Sequence, residues 1–359
     1  MPNDNYSCYS INCCIVALSC TSYPAKLVVV KIPARRRLAL LYAHNIIQKY
    51  DSYHTLLRRS FFIFSIFKTM NHILNTIGNT PLISFSGIHA KLETTNPTGS
   101  IKDRMAVYMI RMAEQRGELQ KNNEIIEVTS GNTGISLAMI SAIRGYRFTA
   151  VMPESMSIER VKMIQAFGAN IVTTPAAEDM AGAVQKYHEL VANNPNAWLP
   201  KQFESPDNIV AHRDGLGQEI LEQMDGNIDA FVAGTGTGGT LIGVAQALRN
   251  ANIDAHIIAV EPEESAVLSG GEPGLHLIQG IGEGFVPKIL QENLNLVDEV
   301  ITIKSQDSIN EAKQLAEQYG IFVGISSGAN ILASIKAHER FKNVVTVLPD
   351  RGERYLSAQ

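Results

Sequence analysis

Short β-branched runs alternate with longer amphipathic segments from about residue 100 onward, and this alternation constrains the fold more than any other feature of the sequence. Such alternation is typical of a parallel sheet covered by helices. Gly117, Gly145 and Gly168 follow helical segments where a left-handed C-cap is favoured. The sequence therefore predicts an α/β fold. The predicted strands are Ile125–Val128, Thr149–Met152, Asn170–Thr173, Ala230–Ala233, Ile257–Val260 and Val344–Leu348.

Residues 1–69 differ from this body in both composition and pattern. They carry nine Lys/Arg against two acids, whereas the whole chain has a net charge of −4, so the rest of the chain is acidic. We predict an irregular basic extension outside the catalytic fold. It is either an organelle transit peptide or, as we prefer, upstream sequence joined to a native start at Met70.

Composition excludes several classes of function for the body, residues 70–359. Its acidity argues against nucleic acid as a partner. All four cysteines lie within the first 20 residues, so the body has no thiolate nucleophile and no Cys-ligated metal. No apolar run reaches the ~18 residues of a membrane span. We therefore expect no metal, no membrane partner and a cytoplasmic location, with organelle targeting by residues 1–69 as the alternative.

The segment Asn96–Arg104 reads NPTGSIKDR, a Pro/Gly turn that runs into a helix predicted to begin near Ser100. The positive end of a helix dipole disfavours an ammonium, so Lys102 here is a better amine nucleophile toward an aldehyde. A solvated surface lysine is the alternative. Asp103 and Arg104 are expected to pin the helix through an ion pair.

Two further strand-to-helix turns carry small polar residues. TSGNTG, following Val128 and ending at Gly134, offers hydroxyl, amide and backbone N–H groups that suit a carboxylate. GISSGA, at Gly324–Ala329, offers Ser326 or Ser327 as a helix cap or a ligand contact. Either turn taken alone is also explained as a simple capping turn.

The loop Gly234–Thr240 reads GTGTGGT and directly follows a predicted strand. Its glycines let backbone amides close on a phosphate, and Thr237 and Thr240 add hydroxyl donors. The loop also satisfies G-x-G-x-x-G, and Glu261 lies about where a dinucleotide-binding enzyme places its ribose-binding acid. The loop alone therefore leaves a nicotinamide-dependent oxidoreductase open as an alternative.

Taken together and in order, these loops resemble the fold-type II pyridoxal-phosphate enzymes, specifically the cysteine synthase/cystathionine β-synthase family. The resemblance covers Ile73–Ser357 and extends to IGNTPL at Ile77–Leu82, which resembles the family's first strand, IQGIGEGF at Ile278–Phe285 and LPDRGERYLS at Leu348–Ser357. It implies two interwoven lobes within residues 70–359, each a mainly parallel twisted sheet flanked by helices. The smaller lobe would span about 105–215.

The resemblance implies pyridoxal 5′-phosphate as cofactor, held by Lys102, which then acts as base at the substrate Cα. Asn132 would contact the cofactor 3′-hydroxyl and Ser326 the pyridine nitrogen. A neutral serine there makes the ring a weaker electron sink, which suits loss of a β-leaving group. The implied phosphate contacts are Gly236, Thr237, Gly238, Gly239 and Thr240, and the implied substrate contacts are Thr129, Ser130, Thr133, Gln202 and Gly282.

The implied reaction is a ping-pong β-replacement. O-acetyl-L-serine loses acetate to give an α-aminoacrylate, and sulfide then adds to form L-cysteine. O-phosphoserine, thiosulfate and a cystathionine β-synthase-type reaction are alternatives. The stretch Ala266–Ile278 has no Arg or Lys, and Glu272 would repel a phosphate, which favours O-acetylserine. Arg213 is an unplaced cation that could reverse this preference.

One segment departs from the family pattern. Where the family reads H-x-T-T-T-G-P-E-I, His212–Ile220 reads HRDGLGQEI, so Asp214, Gly215 and Leu216 replace hydroxyls near the expected cleft. This puts the substrate in doubt. We expect His212 to be structural rather than a proton shuttle.

Other expectations concern partners and single residues. The resemblance implies a homodimer and possible binding of the C-terminal tail of serine acetyltransferase at Thr129–Thr133. A catalytically silent scaffold would be expected to lose Lys102 or the glycine loop, and Asn132 argues against a serine or threonine dehydratase. Trp198 is expected to pack at a strand end. Asp350, which follows the predicted strand Val344–Leu348, could face the cleft but is assigned no role.

Overall fold

The computed structural model describes residues 72–129 and 131–358. The expectations for residues 1–69, including the four cysteines and a start at Met70, lie outside the described residues, as does the predicted substrate contact Ser130. The boundaries proposed for the smaller lobe stay a prediction.

Nine strands form two sheets in the described part of the chain. The larger sheet has the order β1-β2-β9-β6-β7-β8, and the smaller has the order β3-β4-β5. Only β1 and β2 pair antiparallel; all other pairs are parallel, as the sequence predicted. The strands are β1 Leu82–Phe85, β2 Ile88–Leu92, β3 Glu124–Val128, β4 Arg147–Pro153, β5 Asn170–Thr174, β6 Ala230–Gly234, β7 His256–Pro262, β8 Glu299–Ile303 and β9 Val344–Leu348.

Helices connect these strands and cover the sheets. The α-helices are α1 Lys102–Arg116, α2 Asn132–Arg144, α3 Ile158–Ala166, α4 Asp179–Asn193, α5 Pro206–Ala211, α6 Gln218–Gln223, α7 Gly239–Asn250, α8 Lys288–Gln291, α9 Ser305–Tyr319 and α10 Ile325–His338. A π-helical turn, His212–Gly217, joins α5 to α6. Short 3-10 helices lie at Ile73–Thr76, Glu93–Thr95, Ala176–Glu178, Glu263–Ser265, Leu294–Leu296 and Gly352–Ala358.

The central strands β4, β6, β7 and β9 are buried on both faces, which explains why they read as nearly continuous apolar runs. Successive residues of a strand point to opposite faces. Phe231 of β6 accordingly packs with α7, while Val232 packs on the other face with α10. In the smaller sheet Ile125 packs under α1 and α2, while Ile126 faces α4. The layers hold the loops at the carboxyl ends of the strands in fixed positions.

The predicted elements match these bounds with two differences. IGNTPL is not a strand: residues 77–81 form an irregular turn, and β1 begins only at Leu82. The edge strand β8 was not predicted, although Val300, Ile301 and Ile303 lie in a β-branched run. Gly117 and Gly145 are left-handed C-caps as expected, with φ of 75° and 78°. Trp198 bridges to Ile125 of β3 and packs in the core there, which confirms its structural interpretation.

Within residues 72–129 and 131–358, no helix is both long and apolar enough to cross a membrane. In the same ranges, no group of three or more His, Cys, Asp or Glu side chains is placed to hold a metal ion.

Candidate active site

A cavity of about 950 Å³ lies at the carboxyl ends of β3, β6 and β9, between loops that belong to the two sheets. Most of the residues predicted from sequence line it. Gly239 does not; it is the first residue of α7, just behind the lining. The predicted residues that line the cavity are Lys102, Thr129, Asn132, Thr133, Gln202, Gly236, Thr237, Gly238, Thr240, Gly282 and Ser326.

Lys102 is the first residue of α1, so its side chain enters the cavity from the positive end of the helix. Burial lowers the pKa of its ammonium, and the charges of Glu283 and Asp350 oppose that shift. Among the described residues, no hydrogen bond or ion pair holds the amine. A lysine of this kind is available to bond an aldehyde, and the surface-lysine alternative does not fit.

The next residues of α1 are fixed in a different way. Asp103 is fully buried and accepts hydrogen bonds from the Thr98 backbone N–H at 2.8 Å and the Ser136 hydroxyl at 2.6 Å. Arg104 makes ion pairs of 2.7 Å with Glu93 and with Glu219. The predicted ion pair therefore holds for Arg104, whereas Asp103 pins the helix start through hydrogen bonds.

The loop between β3 and α2 carries two of the predicted substrate contacts. Thr129 accepts a hydrogen bond from the Gly134 backbone N–H at 3.0 Å, so its hydroxyl caps α2. Thr133 donates to Gln202 at 2.7 Å, which joins the loop to the segment before α5. The start of α2 and the hydroxyls beside it therefore form a polar wall with a positive helix end, suited to a carboxylate.

Asn132 is held at both ends of its side-chain amide. Its nitrogen donates to Asp350 at 2.6 Å, and its oxygen accepts from Arg354. Asp350 also accepts from the Tyr355 hydroxyl, and its second carboxylate oxygen is buried without a hydrogen-bond donor among the described residues. Neither Asp350 nor Arg354 was assigned a role from the sequence, although both lie in the LPDRGERYLS segment. They fix the orientation in which Asn132 faces the cavity.

The glycine loop between β6 and α7 has little room for side chains. A Cβ on Gly236 would lie 2.4 Å from the carbonyl oxygen of Gly280, and Gly238 has φ of 85°. Thr237 accepts a hydrogen bond of 2.9 Å from Asn208, whose amide also donates to the Gln202 carbonyl. A left-handed residue followed by a helix start is a concave anion site. The loop therefore has the shape of a phosphate cradle.

The two serines of GISSGA lie at the start of α10 in different surroundings. Ser326 lines the cavity, whereas Ser327 is fully buried with a hydroxyl that has no partner among the described residues. Ser326 is thus the one positioned to meet a ligand.

The segment that departs from the family pattern lies outside the cavity lining. Leu216 is fully buried in the core, and Asp214 is exposed and pairs with Arg213 at 2.7 Å. Neither Asp214–Leu216 nor Arg213 lines the cavity, so this departure gives no contact there through which it could change the substrate, and Arg213 is not placed there as a phosphate cation. His212 is buried, with burial and the nearby Lys102 lowering its pKa well below the usual range. This supports a structural histidine.

Two acids behave differently from the sequence-based suggestions. Glu261 accepts hydrogen bonds from the Leu268 and Ser269 backbone N–H groups at 2.7 and 3.0 Å, so it closes a loop and does not face the cavity. This removes the ribose-binding acid of the dinucleotide alternative. Glu272 also lies outside the lining, whereas Glu283, to which sequence analysis gave no role, lines the cavity. The sequence signal that could have identified Glu283 is its position as a single acid between Gly282 and Gly284.

The lining fits a cofactor with an aldehyde and a phosphate. An amine without a partner, a glycine cradle that a Cβ would fill, and a serine hydroxyl face one cavity. A nitrogen heterocycle between them would meet Ser326 and Asn132. Pyridoxal 5′-phosphate has this set of groups, and Lys102, Gly236–Thr240, Asn132 and Ser326 would hold it.

Comparisons with known proteins agree with this geometry. Residues 73–350 match the model of the family described as pyridoxal-phosphate dependent enzyme. Cysteine synthase B of Campylobacter jejuni is 49% identical over 296 residues, which cover 81% of this chain and 98% of the relative. The crystal structure of cysteine synthase from Entamoeba histolytica superposes with a TM-score of 0.77 at 42% identity, covering 80% of this chain and 89% of that one. An O-acetylserine dependent cystathionine beta-synthase from Helicobacter pylori superposes with a TM-score of 0.75 at 39% identity, covering 80% and 97%.

Proposed function

Because the chain belongs to the pyridoxal-phosphate dependent enzyme family, we propose that it is a cysteine synthase, converting O-acetyl-L-serine and sulfide to L-cysteine and acetate. The observation that carries the proposal is the unpaired Lys102 amine in one cavity with the glycine cradle and the α2 start. Similarity to cysteine synthase B over 98% of that relative supports it. The substrates are small molecules.

When bound, pyridoxal phosphate supplies an aldehyde that bonds the substrate amine and a ring that draws electrons from the substrate Cα. Burial lowers the pKa of Lys102, so more of this amine is neutral at pH 7 than in a solvated lysine. A neutral amine in this position accepts the Cα proton as acetate leaves.

The remaining proposed contacts orient the substrate. Thr133, Gln202 and the start of α2 would bind the α-carboxylate, and Thr129 would hold that turn in shape. Carboxylate binding at this wall fixes the Cα near Lys102 and displaces water from the reacting centre. Ser326 would give the ring nitrogen a neutral partner, which favours β-elimination over transamination.

The test is to purify the full chain with cofactor and add O-acetylserine, O-phosphoserine and serine separately, each followed by sulfide. We expect O-acetylserine alone to change the absorbance of the bound cofactor with release of acetate, and sulfide to reverse the change as cysteine appears. A response to O-phosphoserine only would show that the donor is wrong. No cofactor absorbance after pyridoxal phosphate is supplied would contradict the whole proposal.

A cystathionine-forming β-replacement is a second candidate, because the Helicobacter pylori relative with that name covers 80% of this chain at 39% identity. The same assay distinguishes the two candidates when homocysteine is used in place of sulfide. If the enzyme forms cystathionine, homocysteine should restore the cofactor absorbance at a lower concentration than sulfide does.

We further propose a homodimer, a cytoplasmic location and binding of a serine acetyltransferase C-terminal tail at the α2 wall. The family resemblance and the carboxylate-binding character of that wall support the tail site. Light scattering tests the dimer and cell fractionation the location. A tail peptide with a free carboxylate should compete with O-acetylserine, and the same peptide with an amidated end should not.

A further inference from the structure

Glu283 is an acid inside the cavity that the proposed function leaves unused. Its side chain is open to the water of the cavity, and it lines the same cavity as Lys102. Among the described residues, no hydrogen bond or ion pair satisfies its carboxylate. The surrounding protein raises the pKa of Glu283 by burial, while Lys102 and His276 act in the opposite direction.

The loop holds Glu283 at this place from both sides. Gly282 donates its backbone N–H to the Thr235 carbonyl at 3.1 Å and accepts a hydrogen bond of 2.7 Å from His276. On the other side, the Phe285 ring meets the Phe203 ring edge-on at 5.4 Å. The carboxylate is therefore carried by a loop that is anchored to the glycine loop and to the segment after Gln202.

Acids that serve the fold look different in this molecule. Glu261 accepts hydrogen bonds from two backbone N–H groups and a hydroxyl, and Glu219 binds Lys91 and Arg104. Glu283 has no such partner and is exposed to the cavity that Lys102 also lines. Its position beside the reacting lysine therefore points to a contact with a ligand.

The proposed cofactor and donor contacts lie on other residues. Of the lining acids Glu127, Glu204 and Glu283, it is Glu283 whose charge acts on Lys102, so Glu283 is the acid placed to meet the second substrate. We propose that Glu283 is the specificity-determining residue for the sulfur nucleophile, favouring uncharged or ammonium-bearing thiols and rejecting anions such as thiosulfate. The physical reason is the negative potential of an unpaired carboxylate that faces the cavity, because this potential repels an anionic nucleophile and attracts a cationic one. The cavity of about 950 Å³ has room for an amino-acid-sized thiol beside the cofactor.

A nucleophile that enters as a thiol must lose a proton when it reacts. Its sulfur lone pair forms the bond to the substrate β-carbon, from which acetate has already departed with its bonding electron pair. The S–H proton passes to the Glu283 carboxylate, and the ammonium of Lys102 returns a proton to Cα. Glu283 then releases its proton to water, so atoms and charges balance over the turnover.

The inference rests on the proposed function, and the experiment separates the two. Acetate release from O-acetylserine without any nucleophile reports the first half-reaction. The second half-reaction is then compared for three short thiols of different charge, cysteamine, 2-mercaptoethanol and 3-mercaptopropionate, and for thiosulfate. The variants are Glu283→Gln, Glu283→Asp as the conservative rescue, and Glu272→Gln, which removes the same charge from the same loop outside the cavity lining.

We expect the native enzyme to have a higher kcat/KM for cysteamine than for 3-mercaptopropionate. Glu283→Gln should reduce the ratio of these two kcat/KM values about tenfold or more, and this variant should also accept thiosulfate. Glu283→Asp should keep the preference, Glu272→Gln should match the native ratio, and all variants should keep the native melting temperature. An unchanged ratio in Glu283→Gln, with acetate release intact, would overturn the inference alone. Absence of acetate release from the native enzyme would instead overturn the proposed function.

Discussion

Two lysines near each other in the sequence, Lys91 and Lys102, have opposite surroundings. Lys91 is fully buried and donates to the Thr80 carbonyl at 2.6 Å, to Glu219 at 2.8 Å and to Gln223 at 3.0 Å. Lys102 faces the cavity, with no hydrogen-bond or ion-pair partner among residues 72–129 and 131–358. Burial lowers the pKa of both amines, but only Lys91 has its charge compensated at contact distance.

The first turn of α1 joins these two regions. Lys102 points into the cavity, and Arg104 points into a charge cluster formed by Lys91, Glu93, Arg104 and Glu219. The cluster fixes the helix, so the amine needs no partner of its own to stay in place. Compensated charges here serve stability, and the uncompensated amine is left free for chemistry.

The largest expected effect comes from removing the uncompensated amine. Lys102→Ala should reduce kcat/KM for cysteine formation by about 10³-fold or more, because it removes both the cofactor bond and the proton acceptor at Cα. Visible absorbance of the cofactor and cysteine production measure it. The free energy of unfolding of the cofactor-free protein should not fall, since no partner is lost. Retention of native absorbance in this variant would contradict the assigned role.

The second effect concerns the charge cluster. Glu219→Gln leaves Arg104 and Lys91 buried with a neutral partner, and breaking a buried pair costs about 3–5 kcal/mol. We expect the free energy of unfolding to fall by that order in urea denaturation, while the folded fraction keeps cofactor binding. A loss below 1 kcal/mol would show that the cluster does not fix α1.

The same variant gives a pH dependence. Burial alone would raise the pKa of Glu219, but hydrogen bonds from Arg104 and Lys91 outweigh it and lower the pKa to about 2 from the ordinary 4.5. The ion pairs therefore contribute fully above pH 4.5, and the contribution disappears as the pH falls through about 2. The stability difference between native protein and Glu219→Gln should shrink over that range.

The sequence predicted this fold well where the signal was local. Strand runs, C-cap glycines and the order of the polar loops are patterns within a few residues, and the ordered motifs identified Lys102 and the glycine loop. The partners of these residues come from distant parts of the chain. Asn132 meets Arg354 across 222 positions, and Lys91 meets Glu219 across 128. No local pattern encodes such pairs.

The departure at Asp214–Leu216 shows a second limit. Motif position placed these residues near the cleft, but the π-helical turn His212–Gly217 sends Leu216 into the core and Asp214 to solvent. Likewise, the expected repulsion of a phosphate was assigned to Glu272, which lies outside the lining, whereas Glu283 of the same loop lines the cavity. The sequence shows that this loop carries acids, whereas the folded loop determines which of these acids faces the cavity.

A smaller effect is expected from a substitution in the glycine loop that lines the cavity. Gly236→Ala places a methyl 2.4 Å from the Gly280 carbonyl oxygen, so one of the two loops must move. Such overpacking costs about 1–3 kcal/mol, and we expect cofactor affinity to fall by about 5- to 150-fold. Gly215→Ala is the control, because its added methyl would lie 3.6 Å from Arg104, an ordinary contact. Equal cofactor affinity in both variants would contradict the phosphate-cradle assignment.

The smallest effect is expected for an ion pair whose two side chains are exposed to solvent. Arg213 and Asp214 pair at 2.7 Å, with side chains 32% and 51% exposed. An exposed pair of this kind contributes about 0.2–1 kcal/mol. Asp214→Ala should therefore change the free energy of unfolding by no more than that and leave kcat/KM for O-acetylserine unchanged, as measured by denaturation and by acetate release. A loss of donor specificity in this variant would mean that the π-helical turn contacts the substrate, and that the departure from the family pattern at Asp214–Leu216 affects the active site.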